Sequence, residues 1–238
     1  MTNDTEFKAW RVQEQDGEYE GSEQTLHVSD LPENDVLIKV SHSSLNYKDA
    51  LSASGNKGVT RNFPHTPGID AAGEVVEASS GSFSAGDQVL VTGYDLGMNT
   101  DGGFGEYIRV PAEWCVAMPK GWSARTAMIY GTAGLTAGLC VQKLLIMGAR
   151  PEQGKVAVSG ASGAVGSVAV ELLASLGFEV VAISGKQDHA DALKNLGATE
   201  VLGREALAAE KKPMLKPAYA NAVDTVGGGP LAELLKQI

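Results

Sequence analysis

The sequence predicts an α/β plus β protein, a β-rich N-terminal domain followed by a domain built on a parallel sheet. Three observations carry this. Short apolar runs bounded by Gly, Ser and Pro fill residues 1 to about 122. Beyond Ser123, apolar runs alternate with stretches of helical spacing. A glycine turn, AVSGASGAVGS (157–167), joins the first such run to the helix after it. The domains are expected at residues 1–125 and 126–238.

In the first half, DVLIKVSHSS (Asp35–Ser44) alternates in part. AAGEVVEASS (Ala71–Ser80), DQVLVTG (Asp87–Gly93) and GEYIRV (Gly105–Val110) are the other strand candidates. Strands this short suggest a small barrel or sandwich. NYKDALSAS (Asn46–Ser54) stands apart as a short helix, and Ser123 is placed to cap a longer one running towards Ala149.

The second half reads in alternating units. KVAVS (Lys155–Ser159) is a buried strand and Gly163–Leu176 a helix. FEVVAI (Phe178–Ile183) is a strand, Asp188–Leu196 a helix and TEVLG (Thr199–Gly203) a short strand. ALAAEKKPMLKP (Ala206–Pro217) reads as a solvated helix end and loop. YANAVDTV (Tyr219–Val226) is a strand again, and Pro230–Ile238 a helix. Strands separated by helices need crossover connections, which make the sheet parallel.

Composition narrows the function classes. The chain has 238 residues, with 19 Lys and Arg against 29 Asp and Glu, a net charge of −10. That charge repels phosphate backbones, so no nucleic-acid partner is expected, although a local basic pocket is compatible with it. Cys115 and Cys140 lie far apart in sequence and read as free thiols. The N-terminus, MTNDTEFKAW, is polar and acidic, unlike a secretory signal. The longest uncharged run, Thr126–Gln142, carries three glycines and three threonines, and a spanning helix needs about 20 mostly apolar residues. A buried helix in a cytoplasmic protein is expected, with no membrane partner.

The glycine turn lies between a strand and a helix, with a second strand beyond. Bare backbone there lets a pyrophosphate approach the unpaired N–H groups of a helix N-terminus. The spacing is G-x-x-G-x-x-G rather than the commoner G-x-G-x-x-G, and a tight turn without a ligand is the plain alternative. A site for NAD places Asp or Glu after the second strand, to hold the ribose 2′-hydroxyl. Here that strand runs into Ser184, Gly185 and Lys186, and no carboxylate comes before Asp188. A lysine and a hydroxyl suit the 2′-phosphate of NADP(H). Arg204, after the next strand, is placed to close over the same phosphate. Lys186 alone also reads as a surface lysine in a loop.

No metal-ligand pattern is present. His27, His42, His65 and His189 show no i, i+4 pair, and there is no Cys-x-x-Cys.

Six segments then occur in a telling order: SSLNYKDAL (Ser43–Leu51), RNFPHTPGIDAAGEV (Arg61–Val75), DGGFGEYIRVP (Asp101–Pro111), AMIYGTAGLTA (Ala127–Ala137), SGASGAVGS (Ser159–Ser167) and DTVGG (Asp224–Gly228). Together they resemble the medium-chain dehydrogenase/reductase superfamily. Within it they look like the zinc-free quinone-oxidoreductase-like branch that includes acryloyl-CoA reductase. The resemblance covers nearly the whole chain. It implies a GroES-like N-terminal catalytic domain, a Rossmann domain and a homodimer. Asn46 stands where zinc-dependent relatives carry a liganding cysteine, and Ile69 and Asp70 stand where they carry histidine and glutamate. The family's Rossmann domain continues through strands beyond the position of Ile238, so the sheet is expected to be incomplete at its C-terminal end.

The resemblance also implies site residues. Tyr47 matches a residue that contacts cofactor near the nicotinamide, and Ser162, Gly163, Ala164 and Val165 match the pyrophosphate turn. Ser184, Gly185 and Lys186 match the 2′-phosphate pocket, and Arg204 a cofactor-binding arginine. Thr132 and Thr136 are expected to face the cofactor cleft. On the residues alone, Asn46 reads as a helix cap, Tyr47 as a half-buried aromatic and Asp70 as a satisfied buried acid.

Without a Lewis acid, an isolated carbonyl lacks its usual polariser, whereas a conjugated C=C or a quinone accepts hydride with charge gathering on oxygen. Orientation and a few hydrogen-bond donors then suffice. Asn46 and Tyr47 are the expected donors, and Lys57 and Arg61 are candidates to hold the phosphates of a CoA thioester, or are plain loop charges. The implied substrate is a small molecule: a quinone, an enone or an acyl-CoA. A cofactor-binding module without turnover is the alternative.

Overall fold

The computed structural model describes residues 5–79 and 81–238. The chain divides into two compact units, Met1–Thr132 and Ala133–Ile238.

The first unit opens with a hairpin, β1 (Glu6–Gln15) and β2 (Glu18–His27), in register from Gln15 opposite Glu18 to Glu6 opposite His27. Asp16 and Gly17 turn the chain at φ 53° and 84°, both in the left-handed region that a tight two-residue hairpin turn requires. No strand was expected here, because β2 is largely exposed and shows no apolar face. A five-stranded antiparallel sheet follows, ordered β6-β3-β4-β5-β7. Its strands are β3 (Val36–His42), β4 (Asp70–Ala78), β5 (Gln88–Thr92), β6 (Tyr107–Val110) and β7 (Val116–Ala117). β3, β5 and β6 fall within the expected segments, and β4 begins one residue before the expected Ala71–Ser80 strand, of which Ser80 lies outside the described residues. Alternation points Val36, Ile38, Val75, Val89, Val91 and Ile108 into one core, where each is at most 1% exposed. Full burial of such a side chain contributes about 1.5–3 kcal/mol.

The hairpin is tied to the loop before β4. Val12 and His65 exchange backbone hydrogen bonds of 2.7 and 2.9 Å. The Arg11 guanidinium donates to Asp101, Thr66 and the Pro64 carbonyl at 3.1–3.2 Å. His65 is buried, with Nδ1 3.6 Å from Asp101. Burial pushes its imidazole below the ordinary value, against the Gly97 carbonyl and Asp101, which favour the charged form.

The helix α1 (Tyr47–Ala53) follows β3. The longer α2 (Ala124–Ile146) is capped by Ser123, whose hydroxyl accepts from the Thr126 N–H at 3.1 Å. By length and composition α2 could cross a membrane. Its backbone leaves helical geometry at Gly131 (φ 48°, ψ −150°), however, and Ala137 and Val141 beyond that break are buried in the core of the second unit.

The second unit is a four-stranded parallel sheet, ordered β10-β9-β8-β11. Its strands are β8 (Val156–Ser159), β9 (Val180–Ile183), β10 (Glu200–Leu202) and β11 (Asn221–Val223). The helices are α3 (Ala164–Ser175), α4 (Ala190–Asn195) and α5 (Gly228–Leu235). Every residue of β8 and β9 is buried, which explains their unbroken apolar runs. From β8 the chain moves one way to β9 and β10, then returns to pair β11 on the other side of β8. That reversal makes the ends of β8 and β11 a topological switch point, where open α/β sheets bind ligands.

Candidate functional site

The switch point holds a cavity of about 570 Å³, within the size range of small-molecule sites. Ser159, Gly160, Ser162 and Gly163 form one wall, Ile183, Ser184, Gly185, Lys186, Arg204 and Leu207 another, and Thr225, Val226 and Pro230 close it.

The turn after β8 is built to bring backbone close. Gly160 sits at φ 62°, and a Cβ there would strike the Thr225 hydroxyl. A Cβ on Gly166 would strike the Gly160 carbonyl, so the turn folds directly onto the first turn of α3. Gly163 is the N-cap of α3, and no side chain caps that end. Its N–H groups and the helix dipole therefore remain available to an anion. Ala164 and Val165 occupy the first turn of α3.

Hydroxyls stiffen the opposite wall. Ser184, 2% exposed, donates to Ser162 Oγ at 2.8 Å and accepts from the Lys186 N–H at 3.0 Å. Ser162 then keeps its own proton to give outward. The Arg204 side chain crosses Gly185 so closely that a Cβ there would collide with its guanidinium. Lys186 and Arg204 are both exposed, and neither makes an ion pair among the described residues. Two free cations and a hydroxyl thus face one cavity in a chain of net charge −10.

Sequence reasoning missed the device that holds the turn. The Ser159 hydroxyl donates to Asp224, and the Thr225 N–H donates back to Ser159 Oγ at 3.1 Å. Thr225 Oγ1 donates to the Ser159 carbonyl at 2.9 Å, and the Gly227 N–H to Asp224 at 2.8 Å. The segment DTVGG carried that signal, as a carboxylate beside a glycine pair at a strand end. Thr136 is on α2 in this unit and lines a separate shallow pocket with Leu139, Lys143 and Asp224.

The first unit holds the other candidates. Asn46 is the N-cap of α1, and its backbone N–H donates to Asp49 at 2.7 Å. Asp49 also accepts from the Ile69 N–H at 3.0 Å. Burial pushes the Asp49 carboxyl above the ordinary aspartate value, offset by those two backbone donors and reinforced by the charge of Asp70. The Asn46 side chain does not cap the helix. Its Nδ2 donates to Asp70 at 2.9 Å and lies 3.3 Å from Ser44 Oγ. Asp70 is fully buried and also accepts from the Ser44 hydroxyl, the Thr132 N–H at 3.0 Å and the Thr132 hydroxyl at 2.7 Å. A Cβ on Gly131 would lie 2.6 Å from Asp70 Oδ2 and 2.8 Å from Ser44 Oγ.

These contacts correct one expectation: the Asn46 amide gives its protons inside the protein, so it is not a spare donor for a substrate oxygen. Thr132 is likewise tied to Asp70. Tyr47 is 81% exposed, correcting its reading as half-buried and leaving its hydroxyl accessible. Lys57 donates to Glu14 at 2.8 Å and lies over the rings of Tyr19 and Phe63, which commits its charge locally. Among the described residues, no three His, Cys, Asp or Glu side chains converge as a metal site would require.

A GroES-like antiparallel unit and a Rossmann-type sheet with a glycine turn at its switch point define a medium-chain dehydrogenase/reductase. Residues 32–120 match the family model for the alcohol dehydrogenase GroES-like domain. A probable acrylyl-CoA reductase, AcuI, of Escherichia coli is 50% identical over 232 residues, covering 98% of this chain and 71% of that protein. The yhdH oxidoreductase of Salmonella enterica, solved in complex with NADP, superposes with a TM-score of 0.93 at 48% identity, over 97% of this chain and 71% of that one. The Bacillus subtilis protein yhfP, solved with NAD bound, gives a TM-score of 0.95 at 43% identity, over 98% and 71%. The chain belongs to the quinone-oxidoreductase-like, acrylyl-CoA-reductase branch of the superfamily.

Proposed function

We propose that the chain is an NADPH-dependent reductase acting on quinones or on conjugated C=C bonds, an acryloyl-CoA-like thioester or an enone. The observation that carries this is that Lys186 and Arg204, without ion pairs among the described residues, line one cavity with the uncapped glycine turn. The residues fit the cofactor by their own chemistry. Backbone N–H groups from Gly163 to Gly166 suit a pyrophosphate, and Ser162, Lys186 and Arg204 suit a 2′-phosphate. No carboxylate lines that cavity to prefer a 2′-hydroxyl. The relative solved with NAD shows that the branch accommodates either coenzyme type.

When bound, NADPH supplies a hydride. The protein's share is to orient the acceptor and to stabilise charge growing on its oxygen. Tyr47, 81% exposed, offers a hydroxyl for that purpose. A cytoplasmic homodimer completes the reading; the exposed Leu135, Leu139, Ile146 and Met147 along and just beyond α2 support a covering partner.

The test is NADPH consumption with a small quinone and, separately, with acryloyl-CoA. Turnover with either supports the reading. NADPH binding without turnover of either favours a binding module instead.

A further inference from the structure

We infer that Asp70 is a positioning residue that fixes the polarity of the Asn46 amide, so that Asn46 meets a bound ligand with its carbonyl oxygen. It then takes a hydrogen bond from a donor, such as a primary carboxamide or a hydroxyl, and does not stabilise an enolate. The inference rests on the reading of Asn46 as a site residue.

An ionised carboxylate only accepts hydrogen bonds. With Nδ2 2.9 Å from Asp70 Oδ2, the amide must present its NH2 to that side. Reversed, its oxygen would oppose a buried negative oxygen at contact distance. Ser44 reinforces the choice. Its hydroxyl proton goes to Asp70, which leaves Ser44 Oγ an acceptor for the second amide proton at 3.3 Å. The backbone is fixed as well, through the Asn46 N–H on Asp49. Among the described residues no side-chain cap hydrogen bond is made by Asn46 Oδ1, and the one buried, unpartnered side-chain N or O is His65 Nε2. The carbonyl oxygen of Asn46 is therefore open. Asp70 cannot move away easily, because Thr132 grips it twice and the backbone at Gly131 leaves no room for a side chain.

The test uses selective 15N-asparagine labelling of this chain, with the Asn46 side-chain pair assigned by its loss in Asn46→Ser. Its NH2 protons are expected to exchange at least about tenfold more slowly than those of the exposed Asn195. Asp70→Asn should remove that protection, because its own amide can donate and let Asn46 turn. Should Asp70→Asn fail to fold, Ser44→Ala is expected to deprotect one proton of the pair. In folded Asp70→Asn, kcat with quinone should fall about tenfold or more while NADPH binding changes less than about threefold. Unprotected protons in the wild-type chain, protection that survives Asp70→Asn, or an unchanged kcat would each overturn the inference. Absence of turnover in the wild-type chain would instead count against the proposed function, since the exchange measurement needs no activity.

Discussion

Removing the two cations of the cavity should change cofactor choice rather than cofactor binding in general. Lys186 and Arg204 are exposed, so water screens them, and two unit charges 4 Å apart gain only about 1 kcal/mol in bulk water and about 4 near a protein surface. A charge-assisted hydrogen bond is worth roughly 1.5–3 kcal/mol. Taking about 1–2 kcal/mol for each exposed partner, either alanine variant should weaken NADPH about 5- to 30-fold, and the double variant about 100-fold. Lys186→Glu should weaken it further, since a like charge then faces the phosphate. NADH lacks the 2′-phosphate and should change less than about threefold. Neither side chain packs in the core, so folding should be unaffected. Calorimetric titration of each variant with NADPH, NADH and 2′,5′-ADP reads all of this directly. Equal losses for NADPH and NADH, or none for either, would refute the assignment of these cations to the 2′-phosphate.

Other outcomes follow from the same contacts. Gly131→Ala should destabilise the first unit by about 2–6 kcal/mol, adding ~1–3 of backbone strain to ~1–3 of overpacking against Asp70 and Ser44; urea denaturation checks it. The lowered pKa of His65 means that the unfolded chain binds a proton first. Its share of stability should thus be intact above about pH 6.5 and be lost as pH falls from there to the folded value, a slope that His65→Gln should reduce in urea titrations across that range. Burial, with the Asp35 charge behind it, pushes the Cys115 thiol up to about 11. Alkylation of the folded protein near pH 8 should therefore modify the half-buried Cys140 well before Cys115, as peptide mass mapping would show.

Much of the fold was legible because local pattern and burial agree. The unbroken runs at Val156–Ser159 and Val180–Ile183 are strands buried on both faces, and Ser123 caps α2 as its position suggests. The β1–β2 hairpin was illegible by apolar pattern because β2 faces outward, yet the Asp16-Gly17 pair at its turn was a usable signal. The break in α2 could not be read locally. Three glycines lie in that stretch, and what selects Gly131 is Asp70, distant in sequence but packed against it. The candidate site divided the same way. The glycine turn, Ser184, Lys186 and Arg204 follow from strand ends, so motif and spacing locate them. The Asp70 and Asp224 networks join residues brought together only by folding, and these decide which atoms of Asn46 and Ser159 remain free.

The most direct measurement of the central claim is a backbone amide shift map of the 15N-labelled chain with each coenzyme. Saturating NADPH and NADH should both move the amides of Gly160 to Gly166, while those of Gly185, Lys186 and Arg204 should move strongly with NADPH alone. An unmoved glycine turn, with shifts elsewhere or nowhere, would contradict the account.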